Sequence, residues 1–348
     1  MSFQNVGKPR LFISYGDWLK GLGHDIPRHL TISPYETFKF TPEFFENTDL
    51  NRVYAPGFED QDPIWVKGIN FFAVLNHDLG DRNVSFRFDN FYDIASGVGD
   101  GISNPNFTVN YSANMPTYDG FSIIGLTDAW AGDFPKIAPG IDVHNVDDQP
   151  GFEANVGCWV FGSYYDMDAP NLQVTMTREF GKPKVTRAIN GGETSNTMWS
   201  KQPNWGTLGA WELAEKGLES RTRPEYARAG KRVWSLKFPF IDRENLFGIN
   251  QNLSFLSQYL AQQNINLGYN ADDVVDSDFK YNIYSDDSFF SQVWQKTLGG
   301  SCKMLFMADR DNKNPDQFAI VQIRNNSLKA TQTAHNMYDI SLVIEEVF

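Results

Sequence analysis

Trp234, Leu236, Phe238 and Phe240 occupy every second position of one short segment. In extended chain, successive side chains point to opposite sides, so this spacing gathers four large apolar groups on one face of a β-strand. Pro239 falls on the other face and predicts a sheet edge there, because proline has no N–H to give a ladder. Val84, Phe86 and Phe88 alternate in the same way. Ile69 to Leu75 is apolar almost throughout, the pattern of a strand buried on both faces. Further strands are expected at Leu11–Tyr15, Phe107–Tyr111, Phe121–Leu126, Val156–Tyr165, Lys303–Met307 and Phe318–Ile323, and where Leu172, Val174 and Met176 alternate. The segments Ser327–Thr333 and Tyr338–Val347 predict a hairpin turning at His335-Asn336, with Tyr338, Ile340, Leu342 and Ile344 on one face. Helical signals are few. Asp17–Leu22 suits one turn ended by Gly23. Asp287 is placed to cap a helix carrying Phe289, Phe290, Val293, Trp294 and Leu298, which Gly299-Gly300 would stop. The fold expected is therefore mainly β.

A chain of 348 residues exceeds what one core usually absorbs, and its 41% hydrophobic content, with 28 Phe, is ample for two. The expected organisation is a jelly-roll-like β-sandwich with an N-terminal extension over residues 1–190 and a connector over 191–229. A C-terminal β domain over 230–348 follows, a small barrel or sandwich with one packed helix. The connector is punctuated by Gly191-Gly192, Pro203, Gly206 and Gly209 and holds Trp199, Trp205 and Trp211. It reads as a long ordered loop pinned down by its tryptophans.

The net charge of −13 repels phosphates and argues against nucleic acid as the main partner. Arg221, Arg223, Arg228, Lys231 and Arg232 cluster, but Glu219 and Glu225 interrupt them, and a solvated linker is expected. No apolar stretch approaches a membrane span, and the start of the chain has no apolar signal region. Synthesis in a cytoplasm is expected. The two cysteines, Cys158 and Cys302, sit far apart among apolar neighbours and read as buried free thiols.

Signatures of catalysis are missing from the sequence. Gly97-Val98-Gly99-Asp100-Gly101 lacks the Lys-Ser/Thr ending of a phosphate loop. The five histidines, His24, His29, His77, His144 and His335, show no metal-ligand spacing. His77-Asp78 has the elements of an oriented imidazole but reads better as a turn. Asp272, Asp273, Asp276 and Asp278 lack the glycine and the alternation of a calcium loop. The chain is thus expected not to be an enzyme and to need no cofactor or metal. The side chains best suited to an interface, or to stacking on a sugar, are Trp199, Trp205, Trp211, Tyr164 and Tyr165, since aromatic rings offer a flat apolar face with a polar edge.

Three stretches carry a resemblance. Asn70-Phe71-Phe72-Ala73-Val74-Leu75-Asn76-His77-Asp78-Leu79 resembles a strand and turn of the jelly-roll, galactose-binding-like domains of phage tail proteins, with Asp78 where an Asn is usual. Val156 to Asp166, with its Gly162-Ser163-Tyr164-Tyr165 step, resembles a later strand of that domain. Gly230-Lys231-Arg232-Val233-Trp234-Ser235-Leu236 is similar to a module of marine phage virion proteins. Its later parts are Thr297 to Gly300, Asn314 to Ile320 and Ile340 to Glu346. The resemblance implies a virion structural protein of a tailed phage, in the tail, baseplate or fibre-attachment region, and no catalytic residues. Its expected partners are other virion proteins and further copies of itself in a ring or shell. A capsid coat or decoration protein and a host glycan-binding module are the alternatives.

Overall fold

The computed structural model describes residues 5–40, 43–44, 51–54, 70–78, 84–91, 120–125, 138–145, 154–179, 184–196, 230–247, 287–314 and 317–347. The strand expected at Phe107–Tyr111 lies outside them, as do Trp199, Trp205 and Trp211, the Gly97–Gly101 segment and the acidic residues from Asp272 to Asp278.

The protein is mainly β. In chain order the first strands are β1 (Arg10–Ser14), β2 (Phe38–Phe40), β3 (Glu43–Phe44), β4 (Asn51–Tyr54), β5 (Phe71–His77), β6 (Val84–Phe91), β7 (Phe121–Gly125), β8 (Ala138–Asn145) and β9 (Ala154–Asp166). They are followed by β10 (Thr175–Glu179), β11 (Lys184–Arg187), β12 (Glu193–Asn196), β13 (Lys231–Asp242), β14 (Met304–Met307), β15 (Phe318–Ile323), β16 (Ala330–Ala334) and β17 (Met337–Glu346). Helix α1 (Tyr15–Gly21) follows β1, α2 (Arg243–Phe247) follows β13, and a π-helical stretch, Phe290–Gln295, precedes β14.

An antiparallel sheet of 11 strands dominates, with the order β10-β13-β17-β15-β14-β1-β9-β5-β7 and with β16 and β2 attached to β17 and β9. Strand β1 lies inside it, pairing Phe12 with Leu305 of β14 on one side and with Tyr164 of β9 on the other. Strands from 1–190 and from 230–348 therefore share one ladder. A smaller sheet has the order β3-β4-β8-β6, and β11 with β12 forms a separate hairpin.

Both faces of the central strands are buried, and alternation sorts their side chains into two cores. Leu11, Ile13, Met304, Phe306, Ala319 and Val321 join a core with Trp234, Leu236, Phe238, Phe289, Val293, Ile340, Leu342 and Ile344. Phe12, Leu305, Met307, Phe318 and Ile320 join another with Phe71, Ala73, Leu75, Phe121, Cys158 and Val160. Ring contacts show how the sheet closes on each. The rings of Trp234 on β13 and Phe306 on β14 are 5.0 Å apart, although three strand steps would separate them by about 14 Å in a flat sheet. Phe121 on β7 and Phe318 on β15 are 5.9 Å apart across five steps, about 24 Å if flat. The sheet thus rolls over one face at its C-terminal end and over the other face at its N-terminal end. The π-helical stretch fills the first roll with Phe289 and Val293.

Local details follow the chemistry of the chain. Ser14 caps α1 by accepting from the Asp17 N–H, and Gly23 at φ 96° ends it. Gly299 and Gly300, at φ 71° and 87°, stop the π-helical segment as expected. In its first turn the Ser288 Oγ accepts from the Ser291 N–H at 3.3 Å.

Three expectations are corrected. Leu172 is not in a strand with Met176; it precedes β10 and is fully exposed, while Val174 and Met176 pack on the core. Phe240 leaves the buried face of its strand and is 67% exposed, because the register between β13 and β17 shifts between Phe238 and Ile241. Arg232 is not part of a solvated linker. It is buried in β13, where its Nε and Nη2 donate to Glu346 and its backbone N–H donates to the same carboxylate at 2.9 Å.

Candidate functional site

Tyr164 and Tyr165 are neighbours on β9 and so face opposite sides of the sheet. The Arg10 guanidinium lies over the Tyr164 ring at 4.0 Å, and Asp166 holds that guanidinium through Nε and Nη2 at 2.6 and 2.9 Å. Tyr165 sets its ring edge-on to Phe289 at 5.8 Å and donates its hydroxyl proton to the Asn245 carbonyl at 3.2 Å. The two rings are not brought together, and each packs within the fold. The Asp166 side also takes Arg310 at 3.1 Å, which ties β9 to the turn after β14.

The Nε2 of His77 is 2.9 Å from Ser122 Oγ, joining β5 to β7. This is the spacing of a base and a nucleophile, but both residues are buried. The Asp78 carboxylate reaches Asn155: Oδ1 and Oδ2 accept from its N–H and its side-chain amide, both at 2.9 Å. The pair acts as a cross-strand pin.

A polar cluster surrounds α1. Asp17 Oδ2 accepts from Ser14 Oγ at 2.7 Å and from the Ile32 N–H at 2.8 Å. Burial raises its carboxyl above the usual range, against these hydrogen bonds. Lys296 is wholly buried; its Nζ donates to Tyr15 Oη at 2.8 Å and to Gln292 Oε1 at 2.7 Å and lies 4.7 Å from the Tyr15 ring centre. Loss of water pushes this lysine down to about 7. Cys302 donates weakly to the Asp17 carbonyl at 3.7 Å. Both cysteines are free, Cys158 buried as expected and Cys302 only partly so, and loss of water pushes each thiol up to about 12. Among the described residues no group of three or more His, Cys, Asp or Glu side chains is placed to hold a metal ion.

Among the described residues, the large apolar side chains in solvent are Leu22, Leu172, Ile189 and Phe240, and the last three mark two places. One is the hairpin β11–β12, which pairs with no other described strand. Residues 186–193 are all exposed, and Ile189 at its turn is 110% exposed. The turn is built locally: Gly191 has φ 82°, and Asn190 Oδ1 accepts from the Gly192 N–H at 3.1 Å. Arg187 and Glu193 pair across it at 3.3 Å. Such a hairpin is marginal alone in water. Reading residues 191–229 as a connector missed it, although Asn190-Gly191 is a hairpin signal.

The other place flanks the far half of β13. Beyond Ser235 that strand has passed the end of β10, and the Asn171 N–H donates to its Lys237 carbonyl at 2.7 Å. Leu172, next in the chain, is 101% exposed, and Phe240 is 67% exposed. Phe240 has φ 55°, a left-handed conformation that costs an ordinary side chain about 1–2 kcal/mol. It is held there by Asp339, whose Oδ1 accepts from the Phe240 N–H at 3.1 Å while Oδ2 takes Lys237 Nζ at 3.0 Å. These contacts, that to Lys237 above all, lower the Asp339 carboxyl below its ordinary value. Asp242 Oδ1 accepts from the Glu244 N–H at 3.1 Å at the start of α2.

Searches of family models, of curated proteins and of solved structures found no match for this chain.

Proposed function

We propose that this chain is a structural component of a tailed-phage virion, of the tail, baseplate or fibre-attachment region, that works by protein–protein contact. The observation that carries the reading is the presentation of large apolar side chains in solvent at separate points of a tightly cross-paired scaffold: Leu172 at 101%, Ile189 at 110% and Phe240 at 67% exposure. Isolated exposed apolar residues are ordinary, but a strained phenyl group and a protruding hairpin are costly to keep unless something covers them. The sequence resemblance supplies the virion context. A capsid coat or decoration role would use the same surfaces.

Purified particles of the source virus provide the test. Mass spectrometry and cryo-electron microscopy should find the chain at fixed symmetric positions, and its position would separate tail from capsid. Its absence from particles would overturn the reading. Glycan binding is the second reading; Tyr164 and Tyr165 do not form a shared platform for it, which leaves Trp199, Trp205 and Trp211 to be tested by substitution and polysaccharide binding.

A further inference from the structure

We propose that Asn190 is a site of spontaneous covalent modification. In the folded protein its side-chain amide is lost through a cyclic imide closed by the Gly191 nitrogen, leaving aspartate or isoaspartate at the tip of the β11–β12 arm. The reaction needs only this hairpin and water, so it stands apart from the assembly reading above.

Asn190-Gly191 is the one Asn-Gly step in the chain. At every other asparagine the next residue carries a side chain, which crowds the approach of its backbone nitrogen to the amide carbon. Around Gly191 the space is open: a Cβ built there would meet nothing within 4 Å. Residues 186–193 are all exposed, so water reaches the reacting atoms.

The turn also aims the amide. Asn190 Oδ1 accepts from the Gly192 N–H at 3.1 Å, and the ring that this hydrogen bond closes contains the Gly191 nitrogen. The amide carbon is therefore folded forward along the chain, beside the atom that must attack it. The same N–H draws charge toward Oδ1 and steadies the negative charge that this oxygen gains during attack. The Gly191 N–H is itself engaged, donating to the Ala188 carbonyl at 3.0 Å. That bond must open first. It opens at little cost, because β11 and β12 pair with no other described strand and a lone hairpin is marginal in water.

In the step itself a base takes the Gly191 N–H proton and the nitrogen bonds to Asn190 Cγ. The Cγ–Nδ2 bond breaks, and its nitrogen takes up a proton and leaves as ammonia. Water then opens the five-membered imide. Cleavage between Cγ and the Gly191 nitrogen gives aspartate. Cleavage between the Asn190 backbone carbonyl carbon and that nitrogen gives isoaspartate, with the chain routed through Cγ. Overall, one amide and one water become a carboxylate and an ammonium ion. Either product adds a negative charge to the turn that Arg187 and Glu193 close at 3.3 Å. Isoaspartate also lengthens the backbone next to Ile189, which is 110% exposed.

The test follows the full chain, folded and in urea, incubated at neutral and at mildly alkaline pH. Peptide mass spectrometry separates the aspartyl and isoaspartyl forms against synthetic standards. Asn190 should lose its amide at least about tenfold faster than any other asparagine of the folded chain. The loss should be faster at the higher pH, because the attacking nitrogen must shed its proton. Its rate in the folded chain should lie within about tenfold of that in urea, since the turn opens locally. Asn190→Gln, whose longer side chain has to close a larger ring, should keep its amide and should show no charge gain in isoelectric focusing. A folded chain that keeps its Asn190 amide would overturn the proposal. So would a larger suppression by folding, up to the roughly thousandfold or more that opening of the whole molecule would impose, for the turn would then shield the site instead of presenting it. Amide loss at other asparagines as fast as at Asn190, or a charge gain that persists in Asn190→Gln, would overturn the assignment to this turn.

Discussion

Lys296 is buried among Tyr15, Trp18 and Gln292, and its hydrogen-bond partners are neutral. The folded protein therefore binds its proton less well than the unfolded chain does. Below about pH 7 the lysine is charged in both states and the penalty of burying it is complete. As pH rises through 7 the folded state releases the proton while the unfolded state, at 10.5, keeps it, so stability increases with pH. Cys158 and Cys302 act in the opposite sense from pH 9.0 upward, since the unfolded thiols ionise first. The thermal midpoint is accordingly expected to rise between pH 7 and 9, and Lys296→Met should flatten that rise; an equal slope in the variant would refute the assignment. Glu346 illustrates the converse case of a buried charge with full pairing. Glu346→Gln would leave the Arg232 guanidinium, itself over the Trp234 ring at 4.9 Å, buried without its carboxylate. We expect a loss on the order of 3–5 kcal/mol in urea unfolding, and a loss below 1 kcal/mol would contradict it. Neither residue announces its burial in the sequence. A lysine and an arginine become core residues here only because strands distant in the chain close over them.

Apolar patterning was legible in advance: β6 and β17 fall where period two placed them, β5 and β9 where continuous apolar runs did, β14 and β15 where strands were expected, and Asn336 turns the last hairpin at φ 60°. What the pattern could not convey was the interruption of a strand. Trp234, Leu236 and Phe238 are buried as their spacing predicts, whereas Phe240 is expelled by a bulge that depends on Asp339 of the neighbouring strand. The β11–β12 arm was lost for another reason: its flanks are short and polar, so only the turn residues signalled it. Of the candidate site, the sequence therefore showed the type of side chain, aromatic and apolar, but not which ones end in solvent. Close approach of elements gives a further expectation. A Cβ on Gly162 of β9 would stand 1.9 Å from the Ile13 carbonyl oxygen of β1. That oxygen belongs to the central ladder and cannot step aside cheaply. Gly162→Ala should cost about 2–4 kcal/mol or prevent folding, read as a lowered thermal midpoint. Gly23→Ala, where a Cβ meets nothing within 4 Å but φ is 96°, should cost only about 1 kcal/mol.

At the scale of the molecule, one sheet rolled over both faces makes two cores interdependent. Strands β1, β14 and β15 supply side chains to each core, so neither roll is complete without residues from the other part of the chain. Expressed alone, residues 230–348 would lack Leu11 and Ile13 in their core and a partner for β14. Such a fragment should show poor dispersion in amide spectra and no cooperative melt, and mixing it with residues 1–229 should restore both; a sharply melting isolated fragment would contradict this. The place of β1 inside the sheet also sets a timetable. It leaves the ribosome long before its partner β14. At ordinary rates of translation the wait is about 15–60 s. Throughout that interval Leu11, Phe12 and Ile13 have no finished ladder to enter, so the nascent chain is a natural client for a holding chaperone, and its yield should depend on one more than its final stability suggests.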